Sequence, residues 1–480
     1  MQPPPPPNPA PPAVQADPAE ALIRAEQAAA AKRLNEAMGI CRDVLETHAE
    51  HPAALAMLGS ILGHRGEMAE SIRLLERAVA QNGQVAAWRN NLCSLYRMEC
   101  RLEEAEREGR AALALAPGQP TLLLNLAKVF MDRGDDALAI PLFQDVLARE
   151  PFNAEAHLAI GQMLLARGEM RPGWAEYEWR NRLEQAKGMI PDMIRPEWNG
   201  MALPGATIML IGDQGFGDTL QFARFIPQVA ARCGHVALAC GGELEGLLRP
   251  IPGVGSIFSR WQDAPPHQVW CRITSLGGIF EVGADNMPPA PYLSAAAEPR
   301  AAWAERLARD LPSGRRRVGI FWSGRPTHPN DRRRSLRLAQ LAPLLALAGE
   351  VVDMVSLQKL VPDADRALLA AHPVLDLSAE LTDFSVTAAI LTNLDMLVTI
   401  DSGIAHLAGA LGVPVTMMSP SPADWRWLNQ GSDSVWYPSM YILRQPSVGQ
   451  WTPVIEAAAA RVAALAARPA SDELGCAVPG

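Results

Sequence analysis

Three short stretches of this chain combine residue types and spacing that suit a bound ligand. The first, Asp401-Ser402-Gly403, follows the apolar run Met396–Ile400, which predicts a buried strand. Asp and Ser commonly cap helices, and glycine lets a ligand approach the backbone. Free N–H groups and the positive dipole end at such a helix start bind phosphate. The stretch therefore predicts a nucleotide diphosphate site at the carboxyl end of a parallel strand.

An ordinary capped turn between a strand and a helix explains the same residues without a ligand. In that alternative, the cap residues only satisfy the first N–H groups of the helix. His406, one turn into the helix, is then a histidine of the core. The residues alone leave both interpretations open.

The second stretch is the glycine-rich loop from Gly212 to Thr219, which follows a short apolar run. Its glycines do not match the G-x-G-x-x-G spacing, so no dinucleotide fingerprint is predicted. Gly215, Gly217 and Thr219 instead predict a loop that a substrate approaches closely, with Asp218 at the start of the next helix. The alternative for Asp218 is a residue that only steadies its helix through the dipole.

A third loop, Ser323 to Ser335, is rich in arginine and follows the predicted strand Val318–Trp322. Asn330, Arg334 and Ser335 lie near its end. The guanidinium group offers paired donors that match phosphate geometry. A phosphate-binding loop is one interpretation, and a solvated charged loop is the other.

The part of the chain before these loops is helical and repetitive. From residue 18 to about 180, small residues recur with a step of 34, the period of tetratricopeptide repeats, at Ala25, Gly59, Cys93, Ala127 and Gly161. Gly66, Gly134 and Gly168 are predicted at the turn between the two helices of a repeat, and Lys32 replaces this glycine in the first repeat. Five helix pairs would form an α-solenoid whose concave face holds a peptide or protein segment. The alternative is a passive spacer or an oligomerisation module.

After the repeats, the pattern changes to alternating strands and helices, which predicts two Rossmann-like α/β domains. We expect a linker over residues 181–204, a first α/β domain over 205–293 and a second over 294–467. The last helix, near residues 454–467, is expected to cross back to the first α/β domain. A disordered Pro-rich tail is expected over residues 1–17 and a frayed tail over 468–480.

Composition narrows the class of protein. The chain has 480 residues and a net charge of -9, which argues against a general nucleic-acid binder. Its seven cysteines form no C-x-x-C pair, which indicates reduced thiols in a cytoplasmic protein. No apolar run is long enough to span a membrane, and the first residues do not form a signal peptide.

Taken together, the repeats and the three loops resemble bacterial fusions of tetratricopeptide repeats to a heptosyltransferase-like glycosyltransferase of the GT-B type. They more distantly resemble peptide O-linked N-acetylglucosamine transferases. The stretch DSGIAHLAGALG is similar to a family signature whose main-chain N–H groups hold the donor diphosphate, and GFGDTLQF is similar to a G-D motif. The resemblance implies that the domain over 205–293 is the acceptor-side domain and that the domain over 294–467 binds the donor. It also implies that Asp218 is the base that activates the acceptor hydroxyl. The donor-binding residues that it implies are Asp401, Ser402, Gly403, His406, Arg334, Asn330 and Ser335.

The implied reaction moves a sugar from a nucleotide-sugar donor to a glycan or to a protein held by the repeats. No D-x-D motif lies at a plausible place, so neither a metal nor a cofactor is expected. Trp425, Trp427 and Trp436 either stack on the donor or pack in the core. Two other functions stay open. One is a protein-interaction adaptor with a degenerate α/β half, and the other is a nucleotide-sugar epimerase.

Overall fold

The computed structural model describes residues 17–191, 193–328 and 330–467. The chain divides between Pro151 and Phe152 into two compact units. Apart from Asp17, the predicted tails at 1–17 and 468–480 lie outside the described residues. No helix within the described ranges is both long and apolar enough to cross a membrane.

The first unit consists of helices that pack against their neighbours in sequence, as the repeat pattern predicts. Its helices are α1 Pro18–Ala30, α2 Leu34–Thr47, α3 Pro52–His64, α4 Met68–Gln81, α5 Ala86–Met98, α6 Leu102–Leu115, α7 Pro120–Arg133 and α8 Asp136–Arg149. Small residues at the repeated positions are buried where two helices meet. A Cβ added to Gly59 would lie 3.0 Å from Leu75 Cγ and 3.1 Å from the Ser71 carbonyl oxygen. The spacing of small residues therefore sets how closely the helices approach.

The turn inside each repeat has one residue in the left-handed backbone region. Gly66 and Gly134 have φ values of 85° and 75°, and Gly168 of the last repeat has 80°. Lys32 and Cys100 occupy the equivalent positions with φ values of 60° and 59°. A side chain in this region costs about 1–2 kcal/mol, which glycine avoids. The fold therefore imposes this turn even where the sequence lacks glycine.

The second unit begins with the last helix pair, α9 Ala154–Ala166 and α10 Met170–Tyr177, and two 3-10 turns, Glu178–Arg182 and Glu184–Ala186. Trp174 is 1% exposed, and its Nε1 donates to the Val282 carbonyl oxygen at 2.9 Å. Its ring also packs edge-on against Phe222 and Trp425. Because of this packing, the last helix pair forms one unit with the α/β part, and the unit begins earlier than the predicted domain limit at residue 180.

The first sheet has four parallel strands in the order β3-β2-β1-β4. Its strands are β1 Ala206–Ile211, β2 Gly234–Ala239, β3 Val254–Phe258 and β4 Val269–Arg272. Its helices are α11 Phe216–Phe222, α12 Ile226–Cys233, α13 Glu245–Leu248 and α14 Leu276–Ile279, with 3-10 turns at Ala223–Phe225, Gly242–Leu244, Trp261–Asp263 and Ile273–Ser275. Strand β3 was not predicted, because it is half-exposed and lacks a continuous apolar run.

The second sheet has six parallel strands in the order β10-β9-β8-β5-β6-β7. Its strands are β5 Arg317–Phe321, β6 Asp353–Ser356, β7 Val374–Asp376, β8 Met396–Ile400, β9 Val415–Ser419 and β10 Met440–Arg444. Its helices are α15 Ala297–Asp310, α16 Asp331–Arg334, α17 Ala342–Leu345, α18 Asp363–Ala370, α19 Phe384–Leu391, α20 Gly403–Leu411 and α21 Thr452–Ala466, with 3-10 turns at Leu338–Leu341 and Trp425–Trp427. Strand β10 was not predicted.

The last helix does not cross back to the first α/β domain, so this prediction was wrong. Helix α21 packs on the second sheet, where it contacts α17, β9 and β10. Val454, Ile455, Ala458 and Val462 form its buried face, and they join the core that contains the strand residue Val318. A helix with so wide an apolar face buries it against the nearest sheet surface that is not already covered.

Replacing glycine by lysine at a repeat turn tests the conformational cost directly. Glycine also loses more backbone freedom on folding, which offsets part of this cost. Gly66→Lys should therefore lower the free energy of unfolding of the repeats by about 0.5–1 kcal/mol, and Lys32→Gly should raise it by a similar amount. No atom lies within 4 Å of a Cβ built at Gly66, so steric clash does not contribute. Urea unfolding followed by circular dichroism measures both changes. Equal stability of both variants and the parent would contradict the argument.

Candidate functional site

Two of the predicted donor loops lie at neighbouring strand ends of the second sheet. Strands β5 and β8 are paired, and loop 323–335 and the Asp401–Gly403 turn follow their carboxyl ends. From this pair, β6 and β7 extend the sheet on one side, and β9 and β10 extend it on the other. Ligands of doubly wound sheets bind where the strand order reverses in this way. The structure thus places both loops at the reversal point.

The start of helix α20 lacks the side-chain cap that the sequence predicts for Ser402. Ser402 is at the N-cap position, but its hydroxyl donates to the Ile400 carbonyl oxygen at 3.1 Å and makes no capping bond. The N–H groups of Gly403 and Ile404 have no hydrogen-bond partner within the described ranges. These donors are therefore available to an anionic ligand, together with the helix dipole.

Asp401 and Arg334 bring opposite charges to this end of the sheet. Burial raises the pKa of Asp401 from 3.8 to about 6, the carboxylate of Asp424 adds to the rise, and Arg334 opposes it. The Arg334 side chain is only 16% exposed. Its Nε is buried and has no hydrogen-bond partner among the described residues. This Nε also lies 3.8 Å from Asp331 Oδ1, so an ion pair holds the guanidinium group within the loop.

The other two residues of the arginine loop contact the loop itself. Ser335 Oγ accepts a hydrogen bond from the Gly324 N–H and donates one to Asp331, both at 2.8 Å. Asn330 is exposed, and its N–H donates to His328 Nδ1 at 3.2 Å. Ser335 therefore holds the loop in shape, and a contact of Ser335 or Asn330 with a donor stays a prediction.

The glycine-rich loop of the first sheet contacts the Asp401–Gly403 turn of the second. A Cβ added to Gly217 would lie 2.9 Å from His406 Cδ2 and 3.5 Å from Gly403 Cα. A larger residue at 217 would push the two loops apart. Thr219 is buried and donates its hydroxyl to the Gly215 carbonyl oxygen at 3.2 Å, which steadies the first turn of α11. The fold therefore brings together the two stretches that the sequence singled out.

Asp218 forms a buried ion pair with Arg426, a residue that sequence reasoning did not identify. Arg426 NH2 contacts Asp218 Oδ1, its Nε donates to Gln221 Oε1 at 2.9 Å, and its NH1 donates to Asp424 Oδ1 at 2.8 Å. Burial raises the pKa of Asp218, and Arg426 opposes this rise. Burial alone would lower the pKa of Arg426, but Asp218 and Asp424 hold it well above its ordinary value.

One oxygen of Asp218 remains available in this arrangement. Oδ2 has no hydrogen-bond partner among the described residues, and the side chain is 16% exposed. Arg426 and Asp424 belong to the loop after β9, the strand next to β8. The rule that ligands bind at carboxyl strand ends, applied to β9 as well, would have drawn attention to this loop.

His406 and the three tryptophans have the surroundings of core residues. His406 Nδ1 is 3.0 Å from the Tyr437 hydroxyl, and its ring stacks on Trp427 with 5.0 Å between the centroids. Burial lowers the pKa of His406 well below its ordinary value, so the ring is neutral. Trp425, Trp427 and Trp436 are 4%, 0% and 1% exposed. Their faces are covered by protein, and a contact between His406 and a donor stays a prediction.

Comparison with known proteins identifies the repeats. Family models described as tetratricopeptide repeat match residues 28–96 and 124–170. Such repeats indicate a peptide or protein partner. Protein FlbA of Caulobacter vibrioides (strain ATCC 19089 / CIP 103742 / CB 15) is 25% identical over 485 residues, which cover 84% of this chain and 79% of FlbA.

Several solved structures are similar to about a third of the chain. A crystal structure of MamA is 17% identical, covers 37% of this chain and 98% of its own, and has a TM-score of 0.31. A tetratricopeptide repeat protein of Thermus thermophilus is 19% identical, with coverages of 36% and 93% and a TM-score of 0.30. PilF of Pseudomonas aeruginosa is 19% identical, with coverages of 36% and 78% and a TM-score of 0.32.

Removing the buried charge of Arg426 should strongly destabilise the second unit. Arg426→Met leaves Asp218 and Asp424 unpaired, so we expect a loss of about 3–5 kcal/mol in the free energy of unfolding. Adding Asp218→Asn should recover part of this loss. Arg366→Met is the matched control, because Arg366 pairs with an aspartate whose side chain is 98% exposed, and it should cost about 0–1 kcal/mol. Similar losses in both arginine variants, measured by denaturant unfolding, would contradict the structural role assigned to Arg426.

The pKa of Asp401 predicts a pH dependence of stability. In the folded chain the pKa of Asp401 is about 6, against an ordinary value of 3.8. Protonated Asp401 therefore contributes its full stabilisation of the folded state below about pH 4, and this contribution is lost as the pH rises through 6. Relative to Asp401→Asn, the parent should lose about 1–3 kcal/mol between about pH 4 and pH 7. Denaturant unfolding over this pH range measures the difference, and the exposed Asp363→Asn should show no such trend.

Proposed function

We propose that this protein is a glycosyltransferase of the GT-B type that transfers a sugar from a nucleotide-sugar donor to an acceptor hydroxyl. The observation that carries the proposal is the contact between the glycine-rich loop at Gly217 and the turn at Gly403. Each loop follows a strand of a different parallel sheet. The carboxylate of Asp218 on one loop thus lies near the N-terminus of helix α20, which follows the other loop.

The donor would bind at the second sheet. Its diphosphate would accept hydrogen bonds from the N–H groups at residues 402–403 and at Ile404, where helix α20 has no side-chain cap. The guanidinium group of Arg334 would supply a positive charge on the neighbouring loop. Donors that are already oriented toward a leaving diphosphate stabilise the charge that grows on it.

Asp218 would serve as the general base for the acceptor. Its Oδ2 is free, while Arg426 holds Oδ1 and thus the orientation of the carboxylate. Burial raises the pKa of Asp218, which makes the carboxylate a stronger base. Arg426 opposes this rise, because a cation beside a carboxyl favours its charged form.

The proposed step is a nucleophilic substitution at the anomeric carbon of the donor sugar. The acceptor oxygen forms a bond to this carbon, and its proton moves to Asp218 Oδ2. The bond between the carbon and the diphosphate oxygen breaks, and its electron pair leaves on the diphosphate. The repeats indicate a protein partner, so a protein acceptor fits the whole chain better than a free sugar.

Nucleotide release from UDP-, GDP-, ADP- and CDP- or CMP-linked sugars, with host-cell lysate as the source of acceptor, tests the proposal. The parent should release one nucleotide in a lysate-dependent manner. Asp218→Asn should lower the rate by about 10²- to 10⁴-fold, because it keeps the shape but cannot accept the proton. Arg334→Met should lower the rate by about 10²- to 10³-fold. The exposed Asp363→Asn should leave the rate unchanged.

Other outcomes point to other functions. Release by Asp218→Asn at the parent rate would overturn the assignment of the base. Conversion of the donor sugar without nucleotide release would indicate an epimerase. No release and no thermal stabilisation by any nucleotide would favour a protein-interaction adaptor, whose repeats carry the function.

A further inference from the structure

Arg224 is a buried cation that the proposed reaction does not use. It lies in the 3-10 turn Ala223–Phe225, directly after helix α11, and is 4% exposed. Its NH2 donates to the Trp436 carbonyl oxygen at 2.8 Å. Its Nε and NH1 are buried as well, and neither has a hydrogen-bond partner among the described residues. Three of the five N–H bonds of this guanidinium group are therefore unused.

Aromatic rings, and not carboxylates, surround the charge of Arg224. Its guanidinium carbon lies 4.5, 5.4 and 5.7 Å from the ring centroids of Tyr292, Tyr437 and Trp436. In the part of the chain that the structure describes, no carboxylate forms an ion pair with it. Attraction to ring faces offsets only part of the free energy that a charge loses on leaving water. The positive charge of Arg224 is thus left without a described counter-charge.

A structural role as a helix cap does not explain this position. A cation after the last turn of a helix commonly bonds the free carbonyl oxygens there. In α11, however, the Tyr292 hydroxyl donates to the Leu220 carbonyl oxygen at 2.8 Å and lies 3.3 Å from that of Gln221. Arg224 therefore makes none of the hydrogen bonds of a capping arginine.

Tyr437 connects Arg224 to helix α20, whose start is the proposed site of the diphosphate. The Tyr437 ring packs so closely on this helix that a Cβ added to Gly409 would overlap it. The Tyr437 hydroxyl lies 3.0 Å from Nδ1 of His406, in the first turn of the helix. Burial lowers the pKa of His406, and nearby arginines, Arg224 among them, lower it further. The charge of Arg224 therefore acts at the helix start although its side chain is covered by protein.

An anion at this helix start would be attracted by Arg224 as well as by the helix itself. The N–H groups of Gly403 and Ile404 have no hydrogen-bond partner within the described ranges. A charge in the protein interior is screened less than a charge at the surface, so its attraction extends beyond direct contact. This attraction grows with the charge of the ligand, which favours a diphosphate over an uncharged nucleoside. Such a ligand would supply the counter-charge that Arg224 lacks.

We propose that Arg224 is a positioning residue for an anionic ligand, and that its unpaired charge is balanced when a nucleoside diphosphate binds at the start of helix α20. Arg224 acts through its electric field, across Tyr437 and His406, and does not touch the ligand. The location of the ligand rests on the proposed function. The inference concerns binding, so its test does not require a transfer reaction.

Isothermal titration of charged and uncharged ligands measures the contribution of Arg224. The probes are UDP, GDP, ADP and CDP, each compared with its own nucleoside, and the protein is the full-length chain. Arg224→Met removes the charge and keeps a long side chain. It should weaken binding of the diphosphate that the parent prefers by about tenfold, equivalent to about 1.4 kcal/mol, and leave binding of the nucleoside unchanged.

Three further variants separate the charge of Arg224 from its packing. Arg224→Gln also removes the charge but keeps a donor for the Trp436 carbonyl oxygen, and it should show the same selective loss. Arg224→Lys keeps the charge and should bind the diphosphate within about threefold of the parent. Arg366→Met is the control, because it removes the same charge from a side chain that is 64% exposed. It should bind both ligands like the parent, since water screens a surface charge.

Thermal unfolding identifies the variants that are folded and can be compared. Parent affinity for the diphosphate in the folded variants that lack the charge would overturn the inference. Equal losses for the diphosphate and its nucleoside would overturn it as well, because a packing defect affects both ligands. Binding by Arg224→Lys that is as weak as binding by Arg224→Gln would have the same meaning.

Nucleotide release from the donor panel separates this inference from the proposed function. Turnover of a donor, with the same diphosphate affinity in Arg224→Met as in the parent, would overturn the role of Arg224 and leave the transferase intact. Selective loss of diphosphate binding in this variant, without release from any donor by the parent, would support the role and overturn the transferase. Binding of no diphosphate by the parent would overturn both.

Discussion

The buried guanidinium group of Arg426 holds the candidate site in its shape. A guanidinium group removed from water is costly unless its charge and its N–H groups are satisfied. Here Asp218, Asp424 and Gln221 provide this compensation. Because Asp218 belongs to the first sheet's loop and Arg426 to the second sheet's loop, the ion pair joins the two. The arrangement of the site therefore depends on a charge balance that would be lost if either partner were removed.

The same region ties the last helix pair to the α/β part. Trp174 packs against Phe222 and Trp425, and the Asn429 N–H donates to the Ala166 carbonyl oxygen at 2.8 Å. The final repeat is thus covered on one side by aromatic side chains of the α/β part. It also lines a cavity of about 470 Å³ at the carboxyl ends of the strands of the first sheet. A helix pair with the sequence pattern of a repeat therefore packs as a structural part of the α/β unit.

Much of the fold follows from local patterns. The 34-residue step of small residues predicted the helix pairs, because close helix packing at Gly59 or Ala127 requires a small side chain whatever lies elsewhere in the chain. Continuous apolar runs predicted the central strands, which are covered on both faces. The same logic failed for β3 and β10. The apolar run of β3 is interrupted by Gly255 and Ser256, and the run of β10, Met440–Leu443, is only four residues long and ends at an arginine.

The sequence by itself determined the repeats, the alternation of strands and helices, and the loops with residues that suit phosphate and proton transfer. These features depend on neighbours within a few residues, so the order of residues is enough to specify them. Only the tertiary structure decided that Gly217 meets Gly403, that Arg426 pairs with Asp218, and that Ser402 leaves its helix uncapped. The first two contacts join residues about two hundred positions apart, and their strength depends on burial, which a local pattern does not encode.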